Sequence, residues 1–266
     1  MADALRRRVG VLLGEDVADT RPLHGGDLSE LHVLTLISGR RVVAKSGRLA
    51  PVEARMLRTI AEAGCPAPRV IALDDNLFVM DFLEEGARPA WAALGHALRR
   101  LHQATGPHYG WSEDYAFGPV AIANSPTADW PAFWAARRLL AEPDALPGDI
   151  RTRVEALAAR LPDLLAHRPA PSLLHGDLWG GNVLHGTDRA WLIDPACYYG
   201  DAEVDLAMLH LFGAPGAAFS DAYGPLRDGW QARRPIYQLW PALVHLRLFG
   251  QGYRGMVERL LRAAGV

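Results

Sequence analysis

Residues 175–182 read His175-Gly176-Asp177-Leu178-Trp179-Gly180-Gly181-Asn182, and Ile193-Asp194-Pro195 follows further along the chain. Phosphoryl transfer requires a carboxylate that orients and deprotonates a hydroxyl group, and oxygen ligands that hold magnesium on the nucleotide phosphates. We predict that Asp177 is the catalytic carboxylate and that Asn182 and Asp194 are ligands of Mg²⁺. This order of acid, amide and acid is typical of a phosphoryl-transfer site.

The segments that flank this loop predict short strands. Ser172-Leu173-Leu174 is a brief apolar run that enters the loop. Val183-Leu184 and residues 190–193 alternate like the two strands of a hairpin around a turn at residues 185–188. We expect the hairpin to return Asp194 to the side of Asp177.

The chain contains 28 lysines and arginines, of which a single one, Lys45, is a lysine. Lys45 ends the strand-like run 41–45 in the manner of a kinase phosphate-binding lysine. A chain so biased towards arginine that keeps a lysine here indicates a need for a compact ammonium group, although one lysine must fall somewhere by chance. Glu53, near the start of a predicted helix over 51–63, is the expected partner of Lys45; the helix dipole alone also favours an acid there.

Two further segments predict nucleotide contacts. Gly25 and Gly26 lie in a turn before a predicted strand over 31–37, and glycines let backbone amides close over phosphates. Residues 77–83 predict a strand that leads into a linker, where the backbone of four residues could read an adenine edge or simply connect two lobes. These four residues are Met80, Asp81, Phe82 and Leu83.

Length and composition limit the class of protein. A chain of 266 residues favours two lobes, and we place the boundary between residues 1–83, a nucleotide-binding N-lobe, and residues 84–266, a catalytic and acceptor-binding C-lobe. A net charge of −2 gives no indication of a nucleic-acid or membrane partner. No apolar run has the form of a signal peptide or membrane span. We expect a cytoplasmic protein, and a monomer.

The second lobe reads as mostly helical. Apolar residues recur at helical spacing in several segments, with a final stretch over 235–261 that we expect to break at Pro241 and again at 250–252. The other predicted helices cover residues 91–101, 130–140, 150–165 and 202–212. Residues 108–126 lack clear periodicity and predict a functional loop.

Several single residues around the loop admit two interpretations. Trp179 could pack in the core, but its place after the proposed base favours stacking on a sugar. His175 is expected to hold the loop by hydrogen bonds, and Asp205 to anchor the loop through backbone N–H groups. His245 could line the acceptor pocket or only satisfy neighbouring helix residues, whereas His102 is expected to pack in the interior.

The residues resemble those of the fructosamine and ketosamine kinases, a branch of the aminoglycoside-phosphotransferase-like, protein-kinase-like superfamily. The loop 175–183 with residues 193–196 carries the resemblance, and Trp179 within the loop points to this branch. The resemblance covers nearly the whole chain through Arg21-Pro22-Leu23-x-Gly25-Gly26, Val43-Ala44-Lys45, Glu53, residues 79–83, Tyr198-Tyr199-Gly200, Glu203-x-Asp205-Leu206-Ala207-Met208, Leu211-Phe212-Gly213 and Phe249-Gly250-Gln251-Gly252-Tyr253.

The resemblance implies an α+β, protein-kinase-like two-lobe fold. The small N-lobe would be a five-stranded antiparallel sheet with a helix, and the larger C-lobe would be mainly helical. The implied activity is ATP-dependent phosphorylation of the 3-hydroxyl of a fructosamine- or ribulosamine-type ketosamine, whose unstable product initiates deglycation. The implied ligands are ATP, Mg²⁺ and a small-molecule ketosamine or glycated amine, with glycated protein lysines as a further acceptor.

Two other functions stay open. A kinase of the same fold could act on another hydroxylated acceptor such as an aminoglycoside, but a polycationic acceptor calls for an acidic pocket. Residues 245–262 instead carry four arginines and one glutamate. A nucleotide-binding protein without catalysis would be expected to lack at least one of the proposed active-site groups. All four of these are present, namely Lys45, Asp177, Asn182 and Asp194.

Overall fold

The structure, a computed structural model, describes residues 2–23 and 30–266. The chain divides into two units. Unit 1 runs to Ala90 and also contains Val183–Pro195, whereas unit 2 comprises Trp91–Asn182 and Ala196–Val266. The sequence predicted one boundary, after residue 83. The division instead follows Ala90, and a hairpin from the second half of the chain belongs with unit 1.

The strands and α-helices of both units are numbered here in chain order. The strands are β1 Val17–Pro22, β2 Glu30–Leu36, β3 Arg41–Ser46, β4 Val70–Asp74, β5 Leu77–Asp81, β6 Tyr115–Phe117, β7 Val120–Ile122, β8 Ser172–Leu174, β9 Val183–His185, β10 Ala190–Leu192 and β11 Tyr198–Gly200. The α-helices are α1 Ala2–Leu13, α2 Ala50–Glu62, α3 Trp91–Gln103, α4 Trp130–Trp134, α5 Gly148–Leu164, α6 Glu203–Leu209, α7 Ala217–Tyr223, α8 Trp230–Phe249 and α9 Arg254–Ala263.

Five strands of unit 1 form one antiparallel sheet in the order β1-β2-β3-β5-β4. The five-stranded antiparallel sheet expected for the N-lobe is thereby confirmed. Strand β3 lies in the middle, where Lys45 is opposite Leu31 of β2 and Phe78 of β5. Because successive side chains of a strand point to opposite faces, Lys45 shares a face with Val43, and Ala44 lies on the other.

Each face of this sheet is covered by a helix. On one face, Leu34 and Val42 pack into a buried cluster with Val9 of α1. On the other face, Val43 packs in a second cluster with Leu57 of α2. The Lys45 side chain is therefore on the α2 side of the sheet.

The hairpin predicted around residues 185–188 is confirmed, since β9 and β10 pair in antiparallel fashion. Backbone hydrogen bonds attach it to the rest of unit 1. The Leu192 N–H donates to the Pro66 carbonyl at 2.9 Å, and the Gly86 N–H donates to the His185 carbonyl at 2.6 Å. These bonds are the physical reason why the hairpin belongs with unit 1.

Unit 2 is mainly helical, as predicted. Strands β8 and β11 pair with Leu174 opposite Tyr198, and this pair holds the start of the predicted catalytic loop. Helices α3 and α7 come into backbone contact at Gly95, where an added Cβ would lie 2.6 Å from the Phe219 carbonyl oxygen. Part of the expected loop over 108–126 forms the β6–β7 hairpin. Within the described ranges, no helix has the length and hydropathy needed to cross a membrane.

The predicted break of the last helical stretch at Pro241 is wrong. Helix α8 continues through both Pro235 and Pro241 and ends at Phe249, before Gly250 with φ of +79°. A proline inside a helix costs about 3 kcal/mol or more. The buried face of α8, which includes Leu239 and Leu243, packs inside unit 2, and we infer that this burial outweighs the cost of the prolines.

Leu34→Ala should lower the free energy of unfolding by about 2–5 kcal/mol, because the fully buried side chain leaves a cavity between the sheet and α1. Ile37, just beyond the same strand, is 68% exposed. Ile37→Ala is thus a matched control, with an expected change below about 0.5 kcal/mol. Chemical denaturation followed by circular dichroism measures both. Equal losses in the two variants would contradict this packing of the sheet.

Candidate active site

Lys45 is buried at the end of β3, with 5% of its surface exposed. Its Nζ atom lies 2.6 Å from Glu53 Oε1 and 2.9 Å from Asp194 Oδ1. Burial by itself would lower the pKa of Lys45, but the two carboxylates outweigh it and raise the pKa above its ordinary value. The ammonium group is therefore held in its charged form. The predicted pairing of Lys45 with Glu53 is confirmed.

Asp194 sits at the end of the hairpin in a rare backbone conformation. Its φ is +52°, in the left-handed region that most side chains avoid. Such residues cost about 1–3 kcal/mol and cluster at functional sites. The Asp194 side chain is 26% exposed, so the carboxylate that contacts Lys45 also reaches solvent.

The four residues predicted to contact adenine lie at the end of β5 and just after it. Met80 is buried in the cluster on the α2 face of the sheet, and Leu83 follows the strand, half-buried. The Asp81 carboxylate accepts hydrogen bonds from Arg40 at 3.0 Å and Arg69 at 3.2 Å. The Phe82 ring lies 4.1 Å from the Arg41 guanidinium carbon. Since arginines engage two of these side chains, backbone groups are the better candidates for reading a base.

Asp177 and Asn182 lie in one tight loop of unit 2. The Asn182 Nδ2 group donates to the Asp177 carboxylate at 2.9 Å and to the Asp177 backbone carbonyl at 2.8 Å. The Trp179 N–H donates to the same carbonyl at 3.2 Å. Leu178 is fully buried and anchors the loop, while Asp177 itself is half-buried. The loop thus holds an oriented carboxylate that solvent can still reach.

Asp205 of α6 holds the start of this loop through hydrogen bonds. Its carboxylate accepts hydrogen bonds from the backbone N–H groups of His175 at 2.7 Å and Gly176 at 2.9 Å. This is the contact predicted for Asp205. The ring of His102, on α3, donates through Nε2 to the same carboxylate at 3.1 Å, and its Nδ1 lies 2.8 Å from the Tyr223 hydroxyl. All three side chains act together to fix the backbone of the loop.

Gly176 is required by the path of the loop. Its φ is +81°, and a Cβ atom there would lie 2.0 Å from the Ala196 carbonyl oxygen. The Ala196 N–H donates to the His175 carbonyl at 2.8 Å, and the buried His175 ring accepts the Asp177 N–H at Nδ1 at 3.3 Å. His175 therefore has the hydrogen-bonding position expected of a residue that supports the loop.

Trp179 is not part of the core, because 42% of its surface is exposed. Its indole lies over the backbone of Gly181, where an added Cβ would come within 2.3 Å of the ring. The ring also meets Phe212 edge-on, with 6.5 Å between centroids. Trp179 and Phe212 both line a pocket of unit 2.

His245 is not among the described residues that line this pocket. Its ring is 4.9 Å from the Phe212 ring between centroids and also 4.9 Å from the Tyr253 ring. The Nδ1–H group donates to the Pro241 carbonyl at 2.8 Å. Burial lowers the pKa of His245 below its ordinary value, so the ring is an uncharged neighbour of Phe212.

The predicted residues form two groups, one in each unit. Unit 1 brings together Lys45, Glu53 and Asp194. Unit 2 brings together, in and behind one loop, His175, Asp177, Trp179, Asn182 and Asp205. Gly25 and Gly26 lie outside the described residues.

The sequence pattern did not predict the partners of His102 or the contribution of Phe212 to the pocket. His102 falls on the apolar face of α3, together with Leu98 and Leu101. A buried polar side chain needs a hydrogen-bond partner. The position of His102 on that face could therefore have indicated that it has a buried partner. The partners themselves, Asp205 and Tyr223, come from distant parts of the sequence.

The fold is of the protein-kinase-like class. Amicoumacin kinase, in complex with AMP-PNP and Ca²⁺, aligns with a TM-score of 0.69, and the match covers 98% of this chain and 92% of that chain. At 16% sequence identity, this likeness shows the fold alone. It confirms the α+β, kinase-like architecture.

Closer relatives define the family. The family model for fructosamine kinase matches residues 12–264. A probable ketoamine kinase of Thermus thermophilus is 35% identical over 272 residues, covering 98% of both proteins. The crystal structure of a protein provisionally described as a fructosamine-3-kinase, from Thermobifida fusca, is 34% identical with a TM-score of 0.91 and covers 98% of both chains. The chain belongs to the fructosamine kinase family, and it is an ATP-dependent kinase.

Gly176→Ala should destabilise the protein by about 2 kcal/mol or more, because the residue has a positive φ and the new methyl group meets a backbone oxygen. Gly180, in the same loop, has nothing within 4 Å of an added Cβ. Gly180→Ala should therefore change stability by less than about 0.5 kcal/mol. Thermal denaturation of the two variants side by side tests the difference. A Gly176→Ala protein as stable as Gly180→Ala would show that the loop has another path.

Proposed function

We propose that the chain transfers the γ-phosphoryl group of ATP to the 3-hydroxyl of a ketosamine, a fructosamine- or ribulosamine-type sugar carried on an amine. Membership of the fructosamine kinase family supports a ketosamine kinase. The descriptions of relatives as a ketoamine kinase and a fructosamine-3-kinase point the same way. A 3-phosphate makes the adduct of sugar and amine unstable, so the reaction would initiate deglycation.

The observation that carries the proposal is the Asp177 carboxylate, held by Asn182 in the same loop as the exposed Trp179. A carboxylate that is oriented and reachable can accept the proton of an acceptor hydroxyl. An exposed indole two residues away offers an apolar face to the C–H surface of a sugar. One short loop would thus combine deprotonation with binding of the acceptor.

The proposed reaction is a single group transfer. The 3-hydroxyl oxygen bonds to the γ-phosphorus of ATP, the bond from that phosphorus to the bridging oxygen breaks, and ADP leaves. The hydroxyl proton passes to the Asp177 carboxylate. Because the transition state of such transfers is loose, the protein contributes mainly position and charge. His175 and Asp205 would contribute by fixing the loop backbone.

The nucleotide would bind to unit 1. Lys45 would contact the phosphates as a compact cation, with Glu53 holding the ammonium in place. Backbone groups of residues 80–83 would contact the adenine. Gly25 and Gly26 would close over the phosphates, a role that stays a prediction from sequence.

A divalent cation, for which we propose Mg²⁺, would neutralise charge on the phosphates when bound. The donor chemistry of the two candidate ligands fits a hard cation, because both offer oxygen atoms. The Asp194 carboxylate bonds to Lys45 through Oδ1, and its second oxygen would be the metal ligand. The NH₂ group of Asn182 donates to Asp177, so the amide offers its Oδ1 atom.

A panel of acceptors tests the proposed function. ADP release would be measured with fructosyl-, ribulosyl- and erythrulosyl-amines, a glycated protein, and kanamycin. We expect turnover of ketosamines and none of kanamycin, since none of the described residues that line the Trp179 pocket is acidic. Turnover of kanamycin alone would favour the aminoglycoside-type alternative. ATP binding without turnover of any acceptor would favour a non-catalytic protein.

Asp177→Ala should reduce kcat by about a hundredfold or more while leaving ATP affinity nearly unchanged, because the carboxylate acts on the acceptor rather than on the nucleotide. Asp163→Ala, an exposed aspartate of α5, is the control. Steady-state kinetics together with nucleotide titration separate the two effects. Near wild-type turnover in Asp177→Ala would remove Asp177 from the reaction.

Lys45→Arg preserves the charge but not the compact shape, so a phosphate-binding role predicts a strong loss of activity. The chain offers a second, independent readout, because Lys45 is its single lysine. An amine-directed ATP analogue should label Lys45, and excess ATP should protect it, as measured by peptide mass spectrometry. Labelling that ATP does not reduce would place Lys45 outside the nucleotide site.

A further inference from the structure

A pocket of about 320 Å³ lies beside the catalytic loop in unit 2. Its walls are apolar: Trp91, Trp179, Leu209, Phe212 and Pro215 contribute the large side chains. Among the described residues that line it, the side chains carry no charge, and the two indole N–H groups are their polar atoms. This lining contrasts with the polar, hydrogen-bonded surroundings of Asp177.

Two glycines allow the two tryptophans to pack closely against the backbone. An added Cβ at Gly216 would lie 2.6 Å from Cδ1 of Trp91, and one at Gly181 would lie 2.3 Å from the Trp179 ring. The close approach of α3 and α7 at Gly95 brings the first turn of α3 to the start of α7. Both indoles therefore lie against the backbone of unit 2, which shapes the walls of the pocket.

The chemistry of the pocket does not suit a sugar. Each hydroxyl group moved from water into an apolar site without a hydrogen bond costs about 1–3 kcal/mol on the scale of protein mutations. For an alkyl or aromatic group, the same transfer from water is favourable. A ketosamine has both kinds of surface: a hydroxylated sugar at one end of its amine, and whatever substituent the amine carries at the other.

We propose that this pocket binds the substituent on the ketosamine amine and selects compact apolar substituents, alkyl or aryl, over carboxylate-bearing ones. The inference rests on the proposed function and deepens it. The sugar lies at Asp177, and Trp179, two residues along the loop, separates it from the amine substituent. The aromatic faces of Trp179 and Phe212 flank the amine and stabilise its positive charge without a carboxylate.

The size of the pocket favours a small molecule over a glycated protein. Ligand pockets typically have volumes of about 300–1,000 Å³, and this pocket is at the lower limit. It holds one ring or a short alkyl chain. A carboxylate next to the amine, as in a glycated amino acid, has no cationic partner among the lining side chains and loses hydration.

Three ketosamines that share one sugar test the proposal. The amine carries a methyl group, a benzyl group, or the carboxymethyl group of glycine. We expect the KM of the benzyl compound to be about tenfold below that of the methyl compound, with similar kcat. The KM of the glycine compound should be the highest of the three.

Gly216→Ala is the diagnostic variant, because its methyl group displaces Trp91. It should remove most of the advantage of the benzyl compound and leave kinetics with the methyl compound unchanged. Gly255→Ala, in α9, is the matched control, since nothing lies within 4 Å of its added Cβ. Phe212→Ala is a second variant. It should also remove most of the advantage of the benzyl compound, and it should raise the KM of the methyl compound because the Phe212 ring flanks the amine that both compounds share. Phe212 is 44% exposed, so its removal is tolerated by the fold.

The outcomes separate this inference from the proposed function. If no ketosamine is phosphorylated, the proposed function fails and this inference falls with it. If all three compounds are phosphorylated with equal KM, the proposed function stands and the selectivity of the pocket is overturned. A benzyl preference that survives intact in both Gly216→Ala and Phe212→Ala would place the amine substituent elsewhere.

Discussion

The buried ammonium group of Lys45 organises unit 1. The Lys45 ammonium lies inside the fold and is balanced by Glu53 from α2 and Asp194 from the end of the hairpin. Removing one partner of a buried ion pair typically costs about 3–5 kcal/mol, because an uncompensated charge remains. The sheet, the helix and the hairpin must therefore keep their relative positions within unit 1. The left-handed backbone of Asp194 is the local strain that this arrangement carries.

In unit 2, as in unit 1, a buried carboxylate holds the structure together. Its partners here include backbone N–H groups in place of a lysine ammonium. The buried Asp205 carboxylate accepts two N–H groups of the loop and the ring of His102. Gly176 allows the chain to turn there, and Asn182 then holds the Asp177 carboxylate. The positions of Lys45 and of the loop that carries Asp177 are thus set by two buried carboxylates, those of Glu53 and Asp205. For a phosphoryl transfer, where position and charge contribute most of the catalysis, such an arrangement suits the reaction.

The sequence predicted the parts of the fold that follow from local patterns. Lys45 ends an alternating strand and Glu53 opens the next helix, so their pairing could be inferred. The place of the hairpin in unit 1 could not, because it depends on hydrogen bonds to Pro66 and Gly86 far away in the sequence. Helix α8 passes through Pro241 for a similar reason, since the burial of its face is a tertiary effect. The pocket was missed because Trp91 and Phe212 come to line the same cavity only in the folded chain.

Phosphorus–proton correlation NMR of the freshly quenched product of ATP and a fructosyl- or ribulosyl-amine tests the central claim most directly. A ketosamine kinase that acts on the 3-hydroxyl predicts one new phosphate ester, coupled to the proton on carbon 3. On standing, that signal should decline as inorganic phosphate and free amine appear in equal amounts. A stable ester on another carbon, or inorganic phosphate released from ATP with the ketosamine unchanged, would contradict the claim.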